Sequence, residues 1–481
     1  MPPRLFDGVM PQAAHSRSRS SRLLLTGLAL SALAGCAPVP EAKVNQAIEQ
    51  AADGAETPLL VGARGPLSPE QSKAVLARLQ TEARESDVLA RHLAIEQAIA
   101  ETPLVVGNKT QLLRDGAQAF HAIFAAIRQA RKHVHLEYYI VEDVQNDGEH
   151  LSDLLTAKRR EGVQVALIYD SYGSARTPSQ FFDRLKDAGV QLVSFNSLNP
   201  LEARAGYAPN DRDHRKILVA DGAVGIVGGV NLSTDYESGS LATSKKPGQP
   251  PPEYWRDTDL QIEGPVIAQL QTLFLETWKQ QKGPALEDAD FFPTVSPKGN
   301  EVIRIIGSGP DDKLPRYYTT LLSAIRNAEQ NVWISTAYFV PTSQEVEDLE
   351  QAARRGIDVR LLLPGKSDSS LSLAVGHSHY SELLEAGVKI YETKDAILHS
   401  KSATVDGVWT VIGSSNFDHR SVLFNDEVDA VVLGRATASE LQAILDSEMR
   451  DAAPVDREAW SHRPLGDRFE ERFSRIWQSL L

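Results

Sequence analysis

The strongest constraint on this chain is that much of it is written twice. His214-Arg215-Lys216-Ile217-Leu218-Val219-Ala220-Asp221 is followed by Gly228-Gly229-Val230-Asn231, and His399-Ser400-Lys401-Ser402-Ala403-Thr404-Val405-Asp406 is followed by Gly413-Ser414-Ser415-Asn416. In both copies the Lys lies two residues after the His, the Asp five after the Lys and the Gly seven after the Asp. The repeat extends upstream. Val134-His135-Leu136-Glu137-Tyr138-Tyr139-Ile140-Val141 parallels the run from Val332 to Val340, and both read as buried strands preceded by helical patterns, Ala117 to Arg131 and Tyr317 to Glu329. The runs from Arg159 to Ile168 and from Arg354 to Leu363 each give a helix end, a Gly stop and another strand. Strands alternating with helices predict an α/β fold, and two copies predict two similar lobes in one chain, each a mixed β-sheet flanked by helices.

The doubled motif carries chemistry. Residues two apart on a strand share a face, so each His and Lys points into one pocket. Two lysines supply charge to phosphate oxygens, and the amides of Asn231 and Asn416, with the hydroxyl of Ser414, supply hydrogen bonds. One neutral imidazole can attack phosphorus while the other, protonated, donates to the leaving oxygen. The candidate catalytic set is His214, Lys216, His399 and Lys401, together with the motif acids Asp221 and Asp406, whose place at a strand end suggests structure more than catalysis. Lysines repel cations, so neither a metal nor another cofactor is expected.

Composition narrows the partners. Fifty basic and 64 acidic residues give a net charge of -14, which disfavours nucleic acid as the ligand. The single cysteine, Cys36, excludes an intrachain disulfide. It closes a basic segment and a short apolar run, Leu23 to Gly35, too short to span a bilayer and of the form of a secretory signal. Leu33-Ala34-Gly35-Cys36 resembles a bacterial lipobox, and Ala37 after the Cys implies, by that resemblance, an outer membrane anchor facing the periplasm.

The doubled motif resembles that of the phospholipase D superfamily, and the region from Gly107 onward is most similar to bacterial cardiolipin synthases. Gly107 to Leu113, Leu136 to Ile140, Tyr338-Phe339-Val340-Pro341 and Leu423-Phe424-Asn425-Asp426-Glu427 carry the subfamily likeness. The resemblance implies a phosphatidyltransferase that joins two phosphatidylglycerols into cardiolipin and glycerol through a phosphatidyl-histidine, with His214 attacking first. It implies an orienting acid for each histidine, Glu427 for His399 and Asp257 for His214. Gly229 stands where many members have Ser, which implies one fewer hydroxyl at the phosphate. The rival readings are a hydrolytic phospholipase D that releases phosphatidic acid, a nuclease, and a lipid-binding lipoprotein without catalysis.

The expected organisation is a signal peptide over 1–35, a tether and helical segment over 36–100, lobes over 101–290 and 291–463, and an amphipathic tail over 464–481. Gly239 to Pro252 reads as an inserted loop and Pro284 to Asn300 as the link between lobes. In the tail, Leu465, Phe469, Phe473, Ile476, Trp477, Leu480 and Leu481 alternate with Arg468, Arg472 and Arg475, the pattern of a helix that lies on a membrane or packs on the second lobe. The expected particle is a monomer whose partners are phosphatidylglycerol and a membrane. Cys36→Ser should leave the chain unlipidated and largely released from membranes on fractionation; retention equal to wild type would transfer the anchoring role to the tail.

Overall fold

The computed structural model describes residues 39–480 apart from 55–57, 84–85, 198–207, 209, 238–253 and 288–289. The signal segment, Cys36 and the inserted loop lie outside the described residues.

Among the described residues each lobe is built on seven main strands of a mixed sheet, to which the short strands Leu60–Gly62 and Ala453–Pro454 add at the margins. In the first, strands β1 (Leu104–Arg114), β2 (His133–Tyr138), β3 (Gln164–Asp170), β4 (Gln191–Phe195), β5 (Lys216–Ala220), β6 (Val224–Gly228) and β7 (Thr258–Glu263) are arranged in the order β4-β3-β2-β5-β6-β7-β1. In the second, β8 (Glu301–Ser308), β9 (Asn331–Thr336), β10 (Asp358–Pro364), β11 (Lys389–Thr393), β12 (Lys401–Val405), β13 (Trp409–Gly413) and β14 (Asn425–Leu433) repeat it as β11-β10-β9-β12-β13-β14-β8. The first three strands of each order are parallel, and helices make the crossovers: Leu151–Arg160 and Ser179–Asp187 in one lobe, Ser343–Arg354 and Ser370–Ala386 in the other. The motif strands β5 and β12 are buried along their whole length, and in β5 this shows as the unbroken apolar run Ile217-Leu218-Val219-Ala220.

The lobes are fused. Edge strands β1 and β8 pair antiparallel, with a bulge between Glu301 and Val302. A shared apolar layer draws Ile217, Val219 and Ile262 from one lobe and Ile303, Ile412 and Val428 from the other. The segment 39–100 is more than a tether. Leu79, Leu89 and Leu93 enter the second lobe's core beside Leu321 and Ile325. Glu96, fully buried, accepts from Trp409 Nε1 at 2.9 Å and faces Arg304 at 3.3 Å. Burial works against its charge, but Arg304 and His92 hold its carboxyl below the ordinary value.

The motif acids are structural. Asp221 and Asp406 sit at φ 53° and 52°, just past the ends of β5 and β12. Asp221 accepts from the backbone N–H of Arg131 and Lys132 at 2.8 Å and of His133 at 2.9 Å. Asp406 does the same for Glu329, Gln330 and Asn331 at 3.0, 2.8 and 3.0 Å, and also accepts from Ser86 Oγ. Each therefore fixes the turn into β2 or β9. Five residues of strand, roughly 16 Å, separate each acid from the lysine of its motif, so the catalytic role entertained for them is withdrawn.

The tail packs on the second lobe and keeps an apolar face outside. Arg475 Nε donates to Ser378 Oγ at 2.8 Å and Gln478 Nε2 to Pro341 O at 2.5 Å. Phe469, Phe473 and Ile476 remain 75%, 57% and 67% exposed. The side chains of Leu465, Leu480 and Leu481 lie outside the described set. No helix among the described residues is long and apolar enough to cross a membrane.

Asp406→Ala would leave three part-buried backbone donors and the buried Ser86 hydroxyl without their acceptor. It should lower unfolding free energy by about 2–4 kcal/mol in denaturant titration, while activity per folded molecule is retained. A large loss of activity with unchanged stability would return the acid to the catalytic set.

Candidate active site

The two histidines come together because each lobe lends backbone to the other. The extended pair Arg212–Asp213 lies parallel to Asn425–Asp426, and His214 N donates to Asp426 O at 2.9 Å. In the mirror arrangement, Tyr254–Arg256 lies parallel to Ala396–Leu398, and His399 N donates to Arg256 O at 2.7 Å. Each histidine is thus held by the residue that precedes the other lobe's acid.

The acids consequently cross over. His214 Nδ1 lies 3.1 and 3.0 Å from the carboxylate oxygens of Glu427. His399 Nδ1 lies 2.8 Å from Asp257 Oδ2. The within-lobe pairing expected from the sequence is therefore wrong; sequence order does not reveal which lobe's histidine a strand will face. Both rings line one cleft of about 290 Å³, bordered also by Asn231, Asn416, Tyr139, Trp255 and Tyr338. With Nδ1 engaged by a carboxylate, Nε2 is the ring nitrogen left to work in the cleft.

The lysines lie close by and are buried. Lys216 Nζ donates to His214 O at 2.5 Å, and Lys401 Nζ donates to His399 O. Lys216 Nζ also sits 5.5 Å from the Tyr139 ring centre. Burial, opposed by Glu427 and deepened by the facing lysine, pulls Lys216 down to about 7; burial likewise pulls Lys401 to about 8, against Asp257 and Glu427. Burial brings His214 to about 4 despite Glu427, and burial with Lys401 and Lys216 brings His399 well below the ordinary histidine value. Both shifts favour the neutral imidazole in the free enzyme. An anionic phosphodiester between the lysines would offset that crowded positive charge and allow one ring to take a proton.

The groups that support the two acids differ between lobes. Glu427 receives Ser414 Oγ and, at 3.1 Å, Asn425 Nδ2. Burial opposes its charge, yet His214, Lys216 and Ser414 keep its carboxyl below the ordinary value. Ser414 therefore serves the acid behind His214, not the phosphate, which corrects its expected role. At the matching position a Cβ on Gly229 would come 2.2 Å from Asp257 Oδ1. The missing hydroxyl is thus missing at the acid, and Gly is required because the carboxylate occupies that space. With fewer donors, Asp257 is pushed by burial up to about 7.

Some site residues left no trace in the motif. Tyr236 OH lies 2.9 Å from His399 Nδ1, and nothing in the sequence marks it. Arg215, between His214 and Lys216, is a buried staple: its Nε donates to Glu427 O at 3.1 Å and its Nη1 to Thr277 Oγ1 at 2.8 Å. Among the phosphate-site candidates, Asn231 Oδ1 accepts from Ile140 N at 3.2 Å, and Asn416 Oδ1 is buried without a hydrogen bond.

Two copies of one α/β unit, each placing an imidazole in a single cleft with a buried lysine beside it and a carboxylate from the other copy behind it, define an enzyme suited to phosphodiester exchange. Comparison with known proteins agrees. The family described as "Cardiolipin synthase, PLD-like domain" matches residues 123–241 and 321–449. Cardiolipin synthase from Geobacillus sp. (strain WCH70) is 35% identical over 394 residues, 81% of this chain and 76% of that protein. The enzyme of that name from Alkalihalophilus pseudofirmus is 34% identical over 386 residues, 80% of this chain and 74% of that protein. The crystal structure of phosphatidylserine synthase from Haemophilus influenzae Rd KW20 shares the fold, with a TM-score of 0.59 at 12% identity over 80% of this chain and 97% of that one. The chain belongs to the cardiolipin synthase family of phospholipase D-like proteins and is a phospholipase D-type phosphatidyltransferase.

The crossed pairing is testable by nuclear magnetic resonance on nitrogen-labelled histidine. Glu427→Gln should move the ring Nδ1–H signal of His214 and leave that of His399 in place, and Asp257→Asn should do the reverse. The opposite pattern would restore pairing within each lobe. Each substitution should also lower turnover about 10²-fold or more.

Proposed function

We propose that the protein condenses two phosphatidylglycerols into cardiolipin and glycerol. The observation that carries this reading is the pair of imidazoles in one cleft, each with Nδ1 on a carboxylate and a buried lysine beside it. Kinship with enzymes named cardiolipin synthase supplies the substrate class.

In the first half-reaction the Nε2 lone pair of His214 attacks phosphorus. A P–N bond forms, the P–O bond to the headgroup glycerol breaks, and His399 gives its proton to the departing oxygen. In the second, the glycerol hydroxyl of another phosphatidylglycerol attacks. Its proton passes to His399, a P–O bond forms, and the P–N bond returns its electrons to His214. The assignment of attack to His214 follows the family resemblance. Neutral His214 fits it, because Glu427 accepts the Nδ1 proton and offsets the positive charge of the phosphohistidine. Lys216 and Lys401 serve the phosphate oxygens. None of these steps calls for a metal. Lipid anchoring through Cys36 and the exposed Phe469, Phe473 and Ile476 would hold the cleft near a bilayer.

Full-length protein given labelled phosphatidylglycerol in vesicles, with EDTA present, should yield cardiolipin and free glycerol in equal amounts. Phosphatidic acid as the main product would assign the protein as a hydrolase. His214→Ala and His399→Ala should each abolish turnover. General-acid help is worth about 10²–10⁴-fold, so His399→Ala should still accumulate phosphatidyl-enzyme slowly and His214→Ala none, read by mass spectrometry. Adduct on His399 would reverse the two roles.

A further inference from the structure

The two ends of the cleft differ in their arginines although the lobes repeat, with Asp418 lining the same wall and Asp211 within the field of both. Arg212 stands two residues before His214, in the strand register that also places Lys216 on that face. The same position before His399 is Ile397. Arg420 stands four residues after Asn416, and the same position after Asn231 is Asp235. Both arginines line the cleft. Tyr139 lies within the electrostatic reach of both, and its ring is 5.2 Å from that of His214, so they mark the His214 end. The other end holds Asp368, which accepts from Tyr338 OH at 2.8 Å and lies in the field of His399.

The lysines are buried beside the imidazoles, bonded to the carbonyls of His214 and His399, and in the transferase reading they serve the reacting phosphate. Arg212 is braced by Asp170 at 3.6 Å and Ser171 Oγ at 3.4 Å. Arg420 is half-buried in the cleft wall, and one of its N–H groups donates to Asn210 O at 3.2 Å. A planar guanidinium presents several donors in a fork that matches a phosphodiester. The acceptor in the proposed reaction needs such a group. It carries its own anionic phosphodiester, separated from the attacking hydroxyl by the length of a glycerol, and that charge requires a partner other than the two lysines. A water molecule, or glycerol itself, would make no such demand.

We infer that Arg420, with Arg212 beside it, forms a second phosphate subsite that holds the acceptor lipid's own phosphodiester while its free glycerol hydroxyl reaches the phosphatidyl-histidine. This rests on the transferase reading above and adds the ground on which the enzyme selects its acceptor. The subsite takes no part in bond making: O–P forms, P–N breaks and the proton goes to the imidazole as before.

The test separates acceptor choice from chemistry. Full-length Arg420→Gln and Arg420→Lys are given phosphatidylglycerol vesicles with labelled free glycerol. Exchange of glycerol into phosphatidylglycerol reports transfer to a neutral acceptor, and cardiolipin reports transfer to an anionic one. The ratio of cardiolipin to exchange should fall about tenfold or more in Arg420→Gln, the loss of one charge-assisted contact, and should fall less in Arg420→Lys, which keeps the charge and loses the fork. Equal loss of both products in Arg420→Gln would overturn the subsite. Should that variant fold poorly, wild type offers an independent measurement. Glycerophosphoglycerol, the deacylated headgroup, should be used as acceptor in preference to glycerol, and equal use would overturn the proposal. Wild type that exchanges glycerol but forms no cardiolipin would instead overturn the functional reading, and the subsite with it.

Discussion

The structure turns on two histidines whose carboxylate partners belong to the other half of the chain. His214 reaches Glu427 and His399 reaches Asp257, and beneath each contact runs a short parallel pairing of backbone between lobes. Neither lobe could present a working imidazole alone, because its Nδ1 would have lost the group that fixes its tautomer. The fused edge strands and the shared apolar layer can be understood in the same terms. Carboxylate and imidazole must stay within a few tenths of an ångström of each other, and only a rigid common core holds two lobes to that tolerance.

Burial makes the arrangement electrostatically poised. Two lysines, two imidazoles and two carboxylates share a space with little access to water, and the free enzyme settles by keeping both rings neutral. Each group would be costly to bury alone. Together, with both rings neutral, the lysines and carboxylates offset one another, and a bound phosphodiester anion would favour a proton on one ring. The lobes are not electrically alike, however. Glu427 is supported by Ser414 and Asn425, whereas Asp257 has pressed out any side chain at position 229 and is approached by Tyr236 through His399. Duplication supplied the symmetry, and small side-chain differences separated the environments of the two rings.

Much of this was legible in the residues. The period-two spacing of His and Lys at the entry to β5 and β12, the turn acid after each strand and the small residues of the following turn belong to local rules, and the structure has the lysines at the strand starts and the acids just past their ends. Arg212 was equally legible in principle, since it continues the same period one step earlier. Tyr236 was not, because its contact with His399 joins two elements that have no common pattern. Ser414 was misassigned for a related reason: a hydroxyl beside a catalytic strand can face substrate or acid, and only the packing behind it decides.

The sequence by itself determined a duplicated α/β chain, a paired His-Lys chemistry and its phosphodiester class, because strand periodicity and motif spacing act over a few residues and survive without knowledge of the fold. Tertiary structure decided which acid serves which histidine, that Asp221 and Asp406 hold turns, that helices of the 39–100 segment enter the second lobe's core, and that Arg212 and Arg420 line one cleft with the two histidines. Those outcomes depend on contacts between residues far apart in the chain. Such contacts are set by how two sheets meet, which no local pattern encodes.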